Sequence, residues 1–274
     1  MYDMYDLENN SYISYSGGKD STVVSFLFDL AIPSNKIPRL FLNTGIEYRE
    51  MLKFVKAQAK EDARILIHNV GVNIRDMLNT YGYPFKSKEH ALKVSVYQHS
   101  GLGKTVLNYI GKGDKKTFLC PEILKYQFTP QFTLKVSNKC CYKLKKEPAE
   151  KWAKENGKTI DITGMRQSEG GLRLSHSSCA VFSKGKLQKF HPLFPVPDSF
   201  VEYVVRKYDI SLCKLYQSPY NFKRTGCKGC PFSVDLAKQL DKLEALLPTE
   251  KKQCEIIWKP VYEEYRKIGY RLKD

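Results

Sequence analysis

A chain of 274 residues with 42% apolar content is long enough to bury one large α/β core or two small ones, which excludes disorder as its default state. Lysine and arginine number 45 against 29 acidic residues, a net charge of +16, so the expected partner is an anion: a nucleotide, a nucleic acid or an anionic surface. No run approaches the roughly eighteen apolar residues of a membrane span, and residues 1–10 are acidic and polar where a secretory leader is basic and then apolar, so a cytoplasmic protein with no membrane partner is expected.

Residues 12–15 form a short β-prone run that enters a glycine turn. Residues 21–31 predict a helix with Val23, Val24, Phe26, Leu27 and Leu30 at its apolar positions. A second strand at 39–42 runs into Asn43-Thr44-Gly45, a second helix covers 47–60, and a third strand covers 64–70. Alternation of this kind predicts an α/β fold with a parallel sheet and helices on both faces. The pattern loosens over 81–138, a basic insertion broken by Tyr83-Pro84, Gly101-Leu102-Gly103, Gly111-Lys112-Gly113 and Pro121. From Lys86 to Lys146 there are 13 lysines against three acidic residues, which suits a polyanion and equally a solvated surface. Regularity returns with a helix at 143–155, a strand at 159–163, a helix at 199–208 capped by Asp198 or Ser199, and a helical tail over 232–274 broken or kinked at Pro248 and Pro260. With no internal repeat and no linker, the whole chain, 1–274, reads as a single domain.

The first strand, Ser16-Gly17-Gly18-Lys19-Asp20-Ser21 and the helix after it form a concave ring of backbone N–H groups backed by a positive helix end, which suits phosphate. Gly17 and Gly18 permit the turn, Ser16 and Ser21 can donate hydroxyl hydrogen bonds, Lys19 supplies charge, and Asp20 caps the helix or holds Mg²⁺. These residues resemble the PP-loop signature of the adenine nucleotide alpha-hydrolase-like superfamily, which includes ATP pyrophosphatases and phosphoadenosine phosphosulfate reductases. The resemblance implies a Rossmann-like nucleotide-binding sheet. Asn43-Thr44-Gly45-Ile46-Glu47 looks like the family's second segment, which would place Thr44 and Glu47 against adenosine; Glu47 alone reads equally as a first-turn acid of a helix. The stretch from Thr163 to Arg173 is similar to the family's arginine segment, with Arg166 ahead of Arg173 as the guanidinium on phosphate or sulfate.

Eight cysteines are too sparse for a disulfide scaffold, and Cys140-Cys141 with Cys227-Lys228-Gly229-Cys230 fits metal binding better. Neighbouring cysteines do not readily join in an unstrained disulfide, whereas four thiolates suit zinc or an iron–sulfur cubane. The segment from Cys140 to Pro148 resembles the tandem-cysteine segment of cluster-containing adenylylsulfate reductases, which implies a [4Fe–4S] cluster on Cys140, Cys141, Cys227 and Cys230, with zinc as the alternative. The likeness fails at the tail. Assimilatory reductases attack sulfur with a cysteine near the C-terminus, and residues 265–274 contain none; the nearest, Cys254, falls inside a predicted helix facing Ile257 and Trp258.

The leading expectation is therefore an enzyme that uses ATP to adenylylate an acceptor, with Lys19, Asp20 and Arg166 as its reactive groups, so that sulfur replaces the activated oxygen. Sulfur-transfer enzymes of DNA phosphorothioation resemble this layout, which implies DNA or another nucleic acid as acceptor and a cysteine desulfurase or a thiol reductant as partner. A reductase of adenylylsulfate or its 3′-phosphorylated form, and a nucleotide-sensing or nucleic-acid-binding protein without turnover, are the alternatives.

Overall fold

In a computed structural model, residues 1–114, 118–170 and 178–273 are described. The chain divides into two compact units, residues 1–70 with 147–225 and residues 71–146 with 226–274.

The first unit carries a six-stranded sheet among the described residues: β1 (Ser11–Ser14), β2 (Arg39–Asn43), β3 (Ile65–Asn69), β4 (Ile160–Ile162), β5 (Ala180–Ser183) and β6 (Lys186–Phe190). Their order is β3-β2-β1-β4-β6-β5, and all pairs are parallel except the β5–β6 hairpin. The alternation of side chains along β1 shows both faces covered. Ile13 packs with Val23 and Val24 of the helix Lys19–Ala31 and with Val201 and Val204 of the helix Asp198–Lys207. Its neighbour Tyr12 points the other way, against Leu40, Trp152 and Ala153 of the helix Glu147–Glu155. The expected parallel α/β sheet with helices on both faces is thus observed.

Three local readings change. The helix expected over 143–155 is a π-turn at Tyr142–Lys146 followed by the α-helix Glu147–Glu155. The hairpin β5–β6 has no counterpart in the predicted elements, although Lys184-Gly185, both at positive φ, close it between alternating residues. Asp198 is the first residue of its helix rather than a cap; the N-cap is Pro197, with no side-chain capping bond.

One carboxylate organises the sheet's edge. The fully buried Arg39 guanidinium bonds Asp29 at 2.6 Å, Ser25 at 3.0 Å and Asn35 at 3.0 Å, and Arg64 reaches the same Asp29 oxygen at 2.7 Å. Removing Asp29 leaves a buried guanidinium uncompensated.

The second unit is helical. Its elements are the helices Ile74–Tyr81, Lys88–Ser100 and Lys104–Tyr109, the 3₁₀ turn Glu122–Phe128, and the tail helices Leu236–Leu246, Pro248–Ile257 and Lys259–Lys267. The basic stretch therefore holds a 13-residue helix capped by Ser87, whose hydroxyl accepts from the His90 N–H. The tail is broken at Pro248 and Pro260 as expected, each proline sitting in the first turn of a new helix, where a missing N–H costs nothing, rather than kinking a continuous one. Among the described residues no helix is long and apolar enough to cross a membrane.

Asp29→Ala is expected to destabilise the first unit by about 3 kcal/mol, the cost of stranding a buried charge, as read from its urea midpoint.

Candidate functional site

The phosphate-type loop is shaped by steric necessity. Gly17 has φ +69°, and a Cβ there would lie 2.6 Å from both Met51 Sδ and Val55 Cγ2, so neither the backbone nor the space admits a side chain. The two serines brace the turn: their Oγ atoms are 3.1 Å apart, Ser16 N–H donates to Ser21 Oγ at 3.2 Å, and Ser21 Oγ donates to Gly18 O at 2.9 Å. Gly18 is the N-cap and brings no capping side chain. Tyr216 supplies one from afar, its hydroxyl accepting from Lys19 N–H at 3.1 Å and bonding Thr225 Oγ1 at 2.6 Å.

Lys19, Asp20 and Arg166 line one cleft of about 590 Å³, which holds five cationic side chains against three carboxylates. Arg166 is 4% exposed. Its Nε lies 2.9 Å from Asp20 Oδ1, and its Nη1 contacts Asp198 and, at 3.2 Å, Ser168 Oγ. Hydrogen bonds from Ser168 and Arg166 hold the Asp198 carboxyl below the usual carboxylate range. The Arg166–Asp20 contact is Coulombic but unaligned: both Nε and Oδ1 are buried without a directed hydrogen bond. Such atoms suit a ligand that supplies the missing geometry, a phosphate oxygen for the guanidinium and a metal-bound water or Mg²⁺ for the carboxylate. Gly164 allows the approach, since a Cβ there would meet the Asp20 carbonyl carbon at 2.9 Å.

Thr44 and Glu47 are not among the residues lining this cleft. Glu47 precedes the helix Arg49–Glu61 and folds back on Thr44, accepting its N–H at 3.0 Å and its hydroxyl at 2.9 Å. Arg173 lies outside the described residues. Sequence reasoning missed Tyr216 and Thr225, which carry no motif, and left unassigned the basic pair Lys223-Arg224, which lines the cleft.

The four metal-candidate cysteines all fall in the second unit. Cys140 and Cys141 Sγ are 4.0 Å apart. The thiol of Cys140 donates toward Cys141, which raises Cys140 and lowers Cys141; Lys88, Lys145 and Lys146 lower Cys141 further. Burial and the charge of Cys227 push Cys230 up to about 12. The four thiols are thus within electrostatic reach of one another, and four cysteines are chemically a zinc or cubane donor set, but among the described residues no three metal-ligating side chains are grouped closely enough to hold a metal ion.

The Cys227-Lys228-Gly229-Cys230-Pro231 turn is pinned by the tail helices. Trp258 Nε1 donates to Lys228 O at 3.1 Å, Tyr262 Oη to Gly229 O, and Tyr265 Oη to Pro231 O at 2.9 Å. The Lys228 ammonium is buried against Glu250 and Gln253. Aromatic residues spaced 258, 262 and 265 were the available signal: a single helical stripe that reads as core and here also fixes three carbonyls. Gly229, at φ +58°, has Tyr262 Oη at 2.5 Å and Cys254 Sγ at 2.7 Å from where a Cβ would sit. Cys120, Cys213 and Cys254 are buried, as expected of small apolar side chains, and Cys179 is half-buried.

Residues 10–106 and 116–233 match the family model of the phosphoadenosine phosphosulfate reductase domain. An uncharacterized protein of Methanocaldococcus jannaschii is 36% identical over 73 residues, 27% of this chain and 17% of that protein, so the chain spans under a fifth of that relative's length. A phosphoadenylyl-sulfate reductase from Candida auris, solved as a phosphate complex, aligns with TM-score 0.46 and 13% identity over 80% of this chain and 81% of its own. The U34-tRNA thiolase NcsA from Methanococcus maripaludis, solved with its [4Fe–4S] cluster, aligns with TM-score 0.41 and 16% identity over 100% of this chain and 77% of its own.

Gly17→Ala is expected to destabilise the first unit by ~1–3 kcal/mol in urea denaturation, the strain at this φ adding to the clash with Met51 and Val55. Cys227→Ser and Gly229→Ala should each lose bound metal in anaerobically purified protein, the first by removing a ligand and the second by forcing the turn off Tyr262 and Cys254. Elemental analysis checks both, with about four irons per chain expected of the wild type for a cubane and one zinc for the alternative.

Proposed function

The chain belongs to the phosphoadenosine phosphosulfate reductase domain family, and from that premise we propose that it is an ATP-dependent enzyme that adenylylates an acceptor for sulfur transfer. The acceptor oxygen attacks the α-phosphorus of ATP, the bond to the bridging oxygen of the β-phosphate breaks, and pyrophosphate leaves. A sulfur nucleophile then displaces AMP, which departs with the acceptor's oxygen.

The loop's residues suit the first step. The amino end of the helix Lys19–Ala31 and the Lys19 ammonium stabilise charge growing on pyrophosphate. The Arg166 Nε, buried and without an aligned bond, takes a phosphate oxygen, and Asp20 Oδ1 takes Mg²⁺. Thr44 and Glu47 hold the adenosine end, and Arg173 adds a second guanidinium. A [4Fe–4S] cluster on Cys140, Cys141, Cys227 and Cys230, with zinc as the alternative, would hold the sulfur for delivery. A cysteine desulfurase supplies that sulfur as a persulfide in the cytoplasm, and after its outer sulfur has displaced AMP a thiol reductant cleaves the resulting disulfide to release the thio product. The charge of +16 favours a nucleic acid, DNA in the first instance, as acceptor.

The observation that carries this reading over reduction of a sulfonucleotide is the state of Cys254. It is fully buried beneath Gly229, and burial pushes its thiol up to about 12, so it offers neither the mobility nor the thiolate that attack on a sulfate sulfur needs.

With labelled ATP, nucleic acid and a persulfide donor, anaerobic metal-loaded protein should form pyrophosphate and AMP in equal amounts and no sulfite from adenylylsulfate or its 3′-phosphorylated form. Arg166→Ala should slow pyrophosphate release by roughly 10²-fold, the typical cost of one preorganised charge donor. Sulfite formation that disappears in Cys254→Ala would favour the reductase instead.

A further inference from the structure

The second unit has a cleft of about 530 Å³ on its surface, built around the π-turn that follows the tandem cysteines. Four lysines line it, Lys88, Lys139, Lys143 and Lys146, together with the rings of Tyr81 and Tyr142 and the side chain of Cys141. Among the described residues no carboxylate lines it. A merely solvated basic surface needs no aromatic floor, and this one has two. Lys143 Nζ lies 4.9 Å from the Tyr81 ring centroid and 5.8 Å from that of Tyr142, and Lys139 Nζ lies 5.7 Å from Tyr81. Tyr142 is 43% exposed and directly follows the half-buried Cys141, so its ring is accessible from the cleft.

The turn explains the convergence. Winding Tyr142–Lys146 as a π-turn places Lys139, Tyr142, Lys143 and Lys146 along one side, and the helix Ile74–Tyr81 ends so that Tyr81 closes the opposite wall. A free phosphate would occupy a small part of this volume and leave the rings unused. A strand of nucleic acid uses both features: phosphates pair with the lysines, and a base finds a ring face whatever its sequence. Asn138, also in the lining, offers an amide to a base edge. A duplex keeps its bases stacked inside, so the rings select an unpaired strand.

We propose that this cleft binds one unpaired nucleotide of a single-stranded nucleic acid, its base stacked on Tyr142 and its flanking phosphates held by Lys88, Lys139, Lys143 and Lys146, beside Cys141. The inference rests on the sulfur-transfer reading only for its purpose, presenting an acceptor to the cysteine centre; the binding stands by itself.

Fluorescence anisotropy on full-length, anaerobically purified protein tests it, with labelled single-stranded DNA, single-stranded RNA of the same sequence, and the duplex. Either single strand should bind more tightly than duplex, with log K falling against log salt at a slope of about −1.4, the value for the two flanking phosphates at ~0.7 each. Tyr142→Ala should weaken binding roughly tenfold, in the range of one lost base stack, and Tyr142→Phe should restore it. Lys139→Met should flatten the slope by about 0.7. Metal content is measured for each variant, and Tyr142→Phe with Lys139→Met carry the test if Tyr142→Ala loses metal. Binding by neither strand, or binding indifferent to Tyr142 and Lys139, overturns the proposal. Tyr142-dependent binding without pyrophosphate release supports this site and sinks the adenylylation reading; pyrophosphate release with Tyr142-independent binding does the reverse.

Discussion

The Arg166 guanidinium, almost wholly buried and set between Asp20 and Asp198, is the contact on which the cleft of the first unit depends. Asp20 opens the helix after the glycine turn, Arg166 follows β4, and Asp198 opens the helix that covers the same face of the sheet. One planar cation thus fixes three chain segments of the first unit around a shared charge. Gly164 makes the arrangement possible, because any side chain there would meet the Asp20 backbone. The pair Asp20 Oδ1 and Arg166 Nε is close in distance and poor in direction, a buried ion pair without an aligned hydrogen bond.

The second unit solves a different problem, that of holding a cysteine-bearing turn still. Hydrogen bonds from Trp258, Tyr262 and Tyr265 to the carbonyls of Lys228, Gly229 and Pro231 tie the Cys227-to-Pro231 turn to the tail helices. The buried Lys228–Glu250 pair adds a cost to any rearrangement, since separating it would strand a charge away from water. The same packing buries Cys254. The tail helices therefore serve the cysteine turn as a brace, and the thiol they contain is part of that brace.

Much of the first unit was legible in sequence because its elements are locally consistent. β1, the glycine turn and the helix Lys19–Ala31 follow from a short apolar run, two glycines and a helical repeat, and Arg166 follows from its place after a strand. Tyr216 was not legible: it reaches Lys19 across 197 residues, and nothing near it in sequence signals that contact. The helix Lys88–Ser100 was hidden for another reason. Its apolar residues, Ala91, Leu92, Val94 and Val96, are spread around the axis, so no stripe marks the buried side, and Leu92 is in fact exposed. The hairpin was masked by its charge, three lysines in the seven residues 184–190 hiding the alternation of Leu187 and the partly buried strand residues.

The central claim is that the acceptor's own oxygen leaves with AMP, and an oxygen label tests it most directly. Nucleic acid carrying ¹⁸O at its phosphodiester oxygens, and separately at its base carbonyls, would be incubated with ATP, a persulfide donor and the anaerobic metal-loaded protein. Mass spectrometry of the AMP should then show one ¹⁸O from one of the two labelled samples. AMP that carries only solvent oxygen, with the label retained in the nucleic acid, would mean that water is the acceptor and would contradict the account.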